Sequence, residues 1–250
     1  MLGHGPYFRA ELNPGVGLSP FHPESPAGLW LKQHPFAGQI EFHDPHRGAG
    51  GFGGSGAEFL TAWFAGRALP STWEERARAA HEAWESARIF PGSGSDILTQ
   101  AFGVNFDQPF LVGLETTTGS VDKIELRLGL TLSLFHTGRK LNTHGHIRDL
   151  PILPLDELSS HVMSAEDAIE SRDAEGFAEA MNKFGHTLAN LGLLAPHSAI
   201  ALANLPKAGV LAAKGCGAMG ADVLAVLHEG IDLTRYAQEN SLAEVARLPV

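Results

Sequence analysis

The sequence predicts an α+β protein in two parts, and three observations carry that expectation. Residues 108–136 are dense in β-branched and aromatic side chains broken by turn residues. A long amphipathic segment, "STWEERARAAHEAWESARIF", lies before them. After Asp156 the character changes to three helical segments followed by two apolar strands around the Gly-rich "KGCGAMG". At 250 residues the chain is long enough for one large domain or two small ones. The change of character puts a boundary at "DLPILP", giving lobes 1–155 and 156–250.

Taken in order, residues 1–26 are rich in Pro and Gly and read as irregular. Two strands are expected at "GLWLKQ" and "GQIEFHD", where apolar and polar side chains alternate. The glycine-dense "GAGGFGGSGAEF" follows, running into a helix, "GAEFLTAWFAGRAL". The next helix opens on a Ser71 cap with Glu74 three residues later. "PGSGSD" breaks it, and "DILTQAFG" resumes as a short helix. Strands are expected at "PFLVGLETTT", "KIELRLG" and "LTLSLFHTG". Then come helices at "LDELSSHVMSAEDAIESRD", "AEGFAEAMNKFGHTLANLG" and "HSAIALANLP", and strands at "AGVLAAKG" and "ADVLAVLHEG". No internal repeat is visible.

Composition narrows the function. A formal net charge of -10 without a Lys/Arg run argues against nucleic acid as partner. Cys216 is the only cysteine, so no intrachain disulfide forms and a reducing compartment is expected. No secretory signal pattern and no apolar stretch of about 20 residues is present, so the expectation is a cytoplasmic protein without a membrane partner. A homodimer is compatible with the sequence.

Glycine lets a ligand approach backbone N–H groups, and a following helix aims its free donors at the same place, so an anion, and first of all a phosphate, is expected at residues 48–59. Gly48, Gly50 and Gly53 match the dinucleotide pattern G-x-G-x-x-G, but "HDPHR" separates them from the preceding strand and no βαβ alternation follows. A Walker loop would need a lysine before its Ser or Thr. A nucleophile elbow around Ser55 would need glycine where Ala57 stands. A turn that merely permits tight helix packing also remains open.

"GFGGSGA" before a helix resembles the phosphate loop of the GHMP kinase superfamily, which includes galactokinase and homoserine, mevalonate and phosphomevalonate kinases. "PGSGSD", ending at Asp96, is similar to the segment whose aspartate faces the substrate hydroxyl in mevalonate kinases. "HTGRKLNTHGHI" resembles the segment that carries a threonine after a central strand, with Thr143 in that place. "AGVLAAKGCGAMGADVLAVL" resembles the third motif, and the four segments occur in the family's order over residues 48–227.

The resemblance implies a two-lobed GHMP fold, with a ribosomal-S5-like N-terminal lobe and a ferredoxin-like C-terminal lobe. It implies an ATP- and Mg2+-dependent kinase acting on a hydroxyl of a small carboxylate metabolite, mevalonate or phosphomevalonate in the branch it resembles most. Gly50, Gly51, Gly53, Gly54, Ser55, Gly56 and Ala57 would hold the phosphates of ATP; Ser55 and Glu85, eleven residues before Asp96, would hold the metal. Asp96 and Thr143 would be catalytic, and Lys214, Gly215, Gly217 and Arg139 would meet the substrate.

Bland readings stand beside these: a solvated helix glutamate for Glu85, a helix cap for Thr143, and a β-turn for "KGCGAMG". The first family motif departs most, because in "GHGPYFRAEL" Pro6 stands where the family has lysine. Arg9 is the nearest cation in sequence. Met219 replaces a usual glycine, and the chain is short between the first and second motifs. Two alternatives follow: a GHMP-like binding protein without turnover, and a metal enzyme using His43 with His46 or His144 with His146.

Overall fold

A computed structural model describes the chain except residues 1, 4–7, 16, 18, 49–50, 69, 71, 88–93, 103–109, 116–119, 140–151 and 218–221. Local capping chemistry places several element ends. Helix α1 (Pro26–Gln33) occupies the stretch expected to be a strand. Ser25 Oγ accepts the Gly28 N–H at 3.1 Å, and Pro26 sits in the first turn with its backbone already suited to a helix. That cap outweighs the short alternation of "GLWLKQ". Residues 9–13, expected to be irregular, form strand β2 (Arg9–Asn13), which pairs antiparallel with β3 (Gln39–His43). The long helix α3 (Trp73–Ala87) is capped one residue later than expected. Glu75 N–H donates to Thr72 Oγ1 at 3.2 Å while Thr72 N–H reaches Glu75 Oε2 at 3.5 Å.

The chain divides into two compact units, residues 1–48 with 52–125, and residues 49–51 with 126–250. In the first unit, α2 (Gly54–Phe64), α3 and α4 (Ser95–Phe102) pack on one another, and α2 and α3 also pack on α1. Their core is built on Phe59, Trp63, Ile97 and Leu98, with Trp30 meeting Phe59 edge-on at 5.6 Å. Strand β1 (Leu2–Gly3) pairs with β4 (Phe110–Glu115), which pairs with β5 (Ser120–Glu125).

The second unit is a four-stranded antiparallel sheet in the order β7 (Val210–Cys216), β8 (Val223–His228), β6 (Thr131–His136), β9 (Ala243–Pro249). Strand β6 lies between β8 and β9, so residues 126–136 group with the second unit, ahead of the boundary expected from composition. Every residue of β8 is buried, which accounts for its nearly continuous apolar run. Helices α5 (Leu155–Ser171) and α6 (Ala174–Asn190) pack as a pair, with α6 against β7. Helices α7 (Pro196–Ala203) and α8 (Thr234–Glu239) bring Ala201 and Tyr236 to Phe135, Leu224 and Val226. Asn182 of α6 supplies backbone-like partners to edge strand β7, donating to Leu211 O at 3.0 Å and accepting the Ala213 N–H at 3.2 Å.

One polar chain crosses this sheet. Ser133 Oγ donates to Glu244 Oε1 at 2.9 Å and lies 3.0 Å from His228 Nε2, while His228 Nδ1 accepts the Gly230 N–H at 3.1 Å. Arg247 closes on Glu244 at 2.8 Å. Burial, and then Arg247, hold the His228 imidazole below its ordinary pKa, with Glu244 opposing. Among the described residues no helix is long and apolar enough to cross a membrane.

Candidate active site

The glycine stretch is entered through a tight turn in which Asp44 Oδ1 accepts the His46 N–H at 2.7 Å. The His46 ring stacks on Phe52 at 4.1 Å and 5°, tying the start of the turn to the residue before Gly53. Gly53 is the N-cap of α2 in the left-handed region, φ 75° and ψ 26°, a conformation glycine adopts without penalty. No side chain caps this helix and its first turn holds no acidic residue. The Ala57 N–H makes the first helical bond, to Gly53 O at 2.9 Å, which leaves the amides of Gly54, Ser55 and Gly56 without an intrahelical partner. Ser55 is exposed and Gly56 and Ala57 are buried.

Asp96 lies in the first turn of α4 and is half-buried. A Cβ placed on Gly56 would sit 2.5 Å from Asp96 Oδ2 and 3.1 Å from Ile97 Cδ1, so the carboxylate occupies the space that glycine leaves open. Gln100, one turn further, donates from Nε2 to Gly53 O at 2.8 Å and clamps the two first turns together. Burial raises the Asp96 pKa; the N–H groups of Ile97 and of Asp96 itself, and the charge of His81, oppose that rise. His81 comes from α3, and its ring lies where a Cβ on Gly94 would meet Nε2 at 2.8 Å. Glu85 is exposed one turn after His81 on α3.

In the second unit, Gly51 lies against the start of β8. A Cβ there would come within 3.0 Å of Asp222 Cβ and of Val223 Cγ2. A Cβ on Gly217 would be 3.4 Å from Asp222 Oδ2 and 3.8 Å from Gly51 Cα. Gly51 of the stretch and Gly217 of the third motif therefore meet. Gly215 pairs with Leu224 in the β7–β8 ladder. Lys214 is turned elsewhere: its Nζ is 3.6 Å from Cys216 Sγ and 5.4 Å from the centre of the Phe184 ring on α6. Alternation along β7 puts its side chain on the face opposite Gly215. Arg139 is exposed, and its N–H donates to Thr137 Oγ1 at 3.3 Å. Thr143 and Gly50 lie outside the described residues, as do Lys140 and Pro6.

The sequence matches no protein-family model and no curated protein. Solved structures do resemble the model. Phosphomevalonate kinase from Streptococcus pneumoniae superposes with a TM-score of 0.76 at 15% identity, covering 98% of this chain and 89% of that one. The chain has the GHMP kinase fold. Homoserine kinase from Cytophaga hutchinsonii gives 0.64 at 15% identity, over 97% and 84% of the two chains. Mevalonate kinase from L. major, solved with R-mevalonate, gives 0.60 at 17% identity, over 95% and 84%. The S. pneumoniae enzyme has also been solved with phosphomevalonate and AMPPNP.

Within the GHMP fold, the first turn of α2 suits a phosphate: three amides without an intrahelical partner, an exposed hydroxyl and no acidic residue of its own, with the Asp96 carboxylate of α4 over Gly56. Among the described residues no group of three His, Cys, Asp or Glu side chains could hold a metal. Neither the His43/His46 pair nor any other described set therefore makes a protein-only cage. Magnesium commonly takes only one or two side-chain oxygens beside phosphate oxygens and water; Ser55 and Glu85 are both exposed, on α2 and α3. Sequence reading missed Gln100, His81 and Asp222. Asp222 had one legible signal, an acidic residue opening an otherwise apolar strand directly after a glycine-rich turn.

Proposed function

We propose that this chain is an ATP-dependent small-molecule kinase that phosphorylates a hydroxyl of a small carboxylate metabolite, with mevalonate or phosphomevalonate the leading substrates. One observation carries the reading: the Asp96 carboxylate fills the space over Gly56 in the uncapped first turn of α2. The amides of Gly54, Ser55 and Gly56, with Gly50, Gly51, Gly53 and Ala57 shaping the backbone, hold the phosphates of ATP; Ser55 and Glu85 hold Mg2+. ATP, when bound, supplies the phosphoryl group. Asp96 accepts the proton of the attacking hydroxyl, and its raised pKa brings it nearer the value that suits a general base at neutral pH. Fixed backbone dipoles oppose developing negative charge without reorganising, which is most of what phosphoryl transfer asks of a protein. Thr143, Arg139, Gly215 and Gly217 serve the substrate side.

The substrate preference follows "SGSD" and "TGRKLNT" and the structural likeness to phosphomevalonate and mevalonate kinases. ATP consumption against mevalonate, phosphomevalonate, homoserine and galactose tests it, native chain beside Asp96→Asn. Turnover with one of these, lost in the variant while nucleotide binding persists, supports the reading. Equal turnover in both chains removes Asp96 from it. A second reading, a binding protein without turnover, is favoured by Pro6 in place of the first-motif lysine. It predicts saturable Mg-ATP binding with no ATP consumed on any of the four substrates.

A further inference from the structure

Gln100 lies within the first unit with its hydrogen bonding half satisfied. Its Nε2 donates to Gly53 O at 2.8 Å, while its Oε1 is buried without a hydrogen-bond partner among the described residues. Only Nε2 can give a hydrogen to that carbonyl, and turning the amide over would set two oxygens face to face, which fixes its orientation. An unpartnered buried acceptor costs stability, and an apolar side chain of equal length would avoid that cost. Stability is therefore not what this amide supplies.

Its position gives it another task. Gly53 O also accepts the Ala57 N–H at 2.9 Å, the bond that closes the first turn of α2, so Gln100 grips the carbonyl directly ahead of the amides of Gly54, Ser55 and Gly56. A Cβ on Gly53 would collide with Gln100 Nε2, so only glycine admits the amide here. Asp96 lies four residues before Gln100, on the same face of α4. Its carboxylate accepts from the N–H groups of Ile97 and of Asp96 itself, which ties it to the first turn of α4. Carboxylate, α4, Gln100, Gly53 and the amides of α2 thus form one continuous chain of bonds.

We propose that Gln100 is a positioning residue, a strut that sets the separation between the Asp96 carboxylate and the amides that hold the phosphates. It acts through Asp96 and Gly53 and not on the reactants. This role rests on the kinase reading of the same site. Where alignment supplies most of the rate, as in phosphoryl transfer, such a strut acts on kcat.

The test uses the full-length chain and two variants. Gln100→Met keeps the length and removes the donor; Gln100→Glu keeps the shape and puts an acceptor where the donor was. Turnover is measured with whichever of mevalonate, phosphomevalonate, homoserine and galactose the native chain uses, beside affinity for AMPPNP with Mg2+ and thermal melting. The expected result is a kcat about 10- to 100-fold lower in both variants, with AMPPNP affinity within about threefold of native. Gln100→Met should melt at or above the native temperature, because the unpartnered oxygen is gone. A merely structural residue would lose stability and nucleotide affinity together with turnover, and that pattern overturns the proposal, as does an unchanged kcat in Gln100→Met. Carboxyl 13C NMR of Asp96 without nucleotide tests the strut apart from turnover: freeing α4 relieves burial, so the midpoint should fall toward 3.8 in Gln100→Met. An unmoved midpoint overturns the proposal whatever the turnover. A midpoint that moves beside a native chain that consumes no ATP overturns the catalytic role, and marks the kinase reading, not the strut, as what failed.

Discussion

Replacing Gly56 by alanine tests the arrangement of the candidate site most directly. In an ordinary helix the change stabilises by about 1 kcal/mol, because glycine loses more backbone entropy on folding. Here the added methyl would stand 2.5 Å from Asp96 Oδ2 and 3.1 Å from both Asp96 Cγ and Ile97 Cδ1. Overpacking of this kind costs about 1–3 kcal/mol, so the net expectation is a loss of about 0–2 kcal/mol. Gly54→Ala, two residues earlier in the same turn, is the contrast. Its Cβ meets only the edge of the Phe8 ring at 3.9 Å, so up to about 1 kcal/mol of the helix gain should survive. Urea unfolding of the two variants should therefore separate them by about 1–3 kcal/mol. In an Asp96→Ala background the obstacle is shortened, and Gly56→Ala should shift toward stabilisation, a coupling that the double-mutant cycle reads directly. ATP turnover of Gly56→Ala should fall about 100-fold, since moving the carboxylate by about 1 Å spoils the alignment with the hydroxyl. Full helix stabilisation in Gly56→Ala, with no coupling to Asp96, would show that the carboxylate does not lie over the first turn of α2, and the reasoning would fail.

Other outcomes follow from named groups. The folded pKa of His228 lies below its ordinary 6.5, so the unfolded chain takes up the proton first. Stability should be full above pH 6.5 and decline as the pH falls from there toward the folded pKa, and His228→Gln should flatten that decline in urea melts. Asp96 has the opposite sign: its raised pKa favours the folded state below 3.8, and that contribution is lost as the pH rises through the folded value. The turnover rate should climb as Asp96 ionises, with a midpoint above 3.8 that moves higher still in His81→Ala, which removes an opposing charge. Asn182→Ala should cost about 1–3 kcal/mol in chemical unfolding, because it strips the partners of Leu211 O and Ala213 N from the β7 edge. Unchanged stability there would mean that water replaces Asn182 freely.

Much of the fold was legible because its signals are local. The 3.6-residue period of "AEGFAEAMNKFGHTLAN" and the apolar run "VLAVLH" state their structure within their own span. "GLWLKQ" satisfied a strand pattern and a helix pattern alike, and only the Ser25 cap with Pro26 separates them. Strand β9 and helix α8 passed unread. "AEVARLP" is short and charged, and its place comes from pairing with β6 across most of its length. Within the candidate site, Ser55 and Asp96 could be picked out from motif order, whereas Gln100 could not, because its bond to Gly53 O depends on how α4 lies against α2.

Residue order alone determined most of the helices and strands, where glycine frees the backbone ahead of a helix, and which carboxylates are available. These properties follow from propensity, glycine freedom and charge, which act over a few residues. Only the tertiary structure decided that Asp96 fills the space over Gly56, that Lys214 turns to Phe184, and that Asp222 stands buried beside Gly51 and Gly217. Contact and desolvation between residues far apart in the chain are set by packing, and no window of sequence contains both partners.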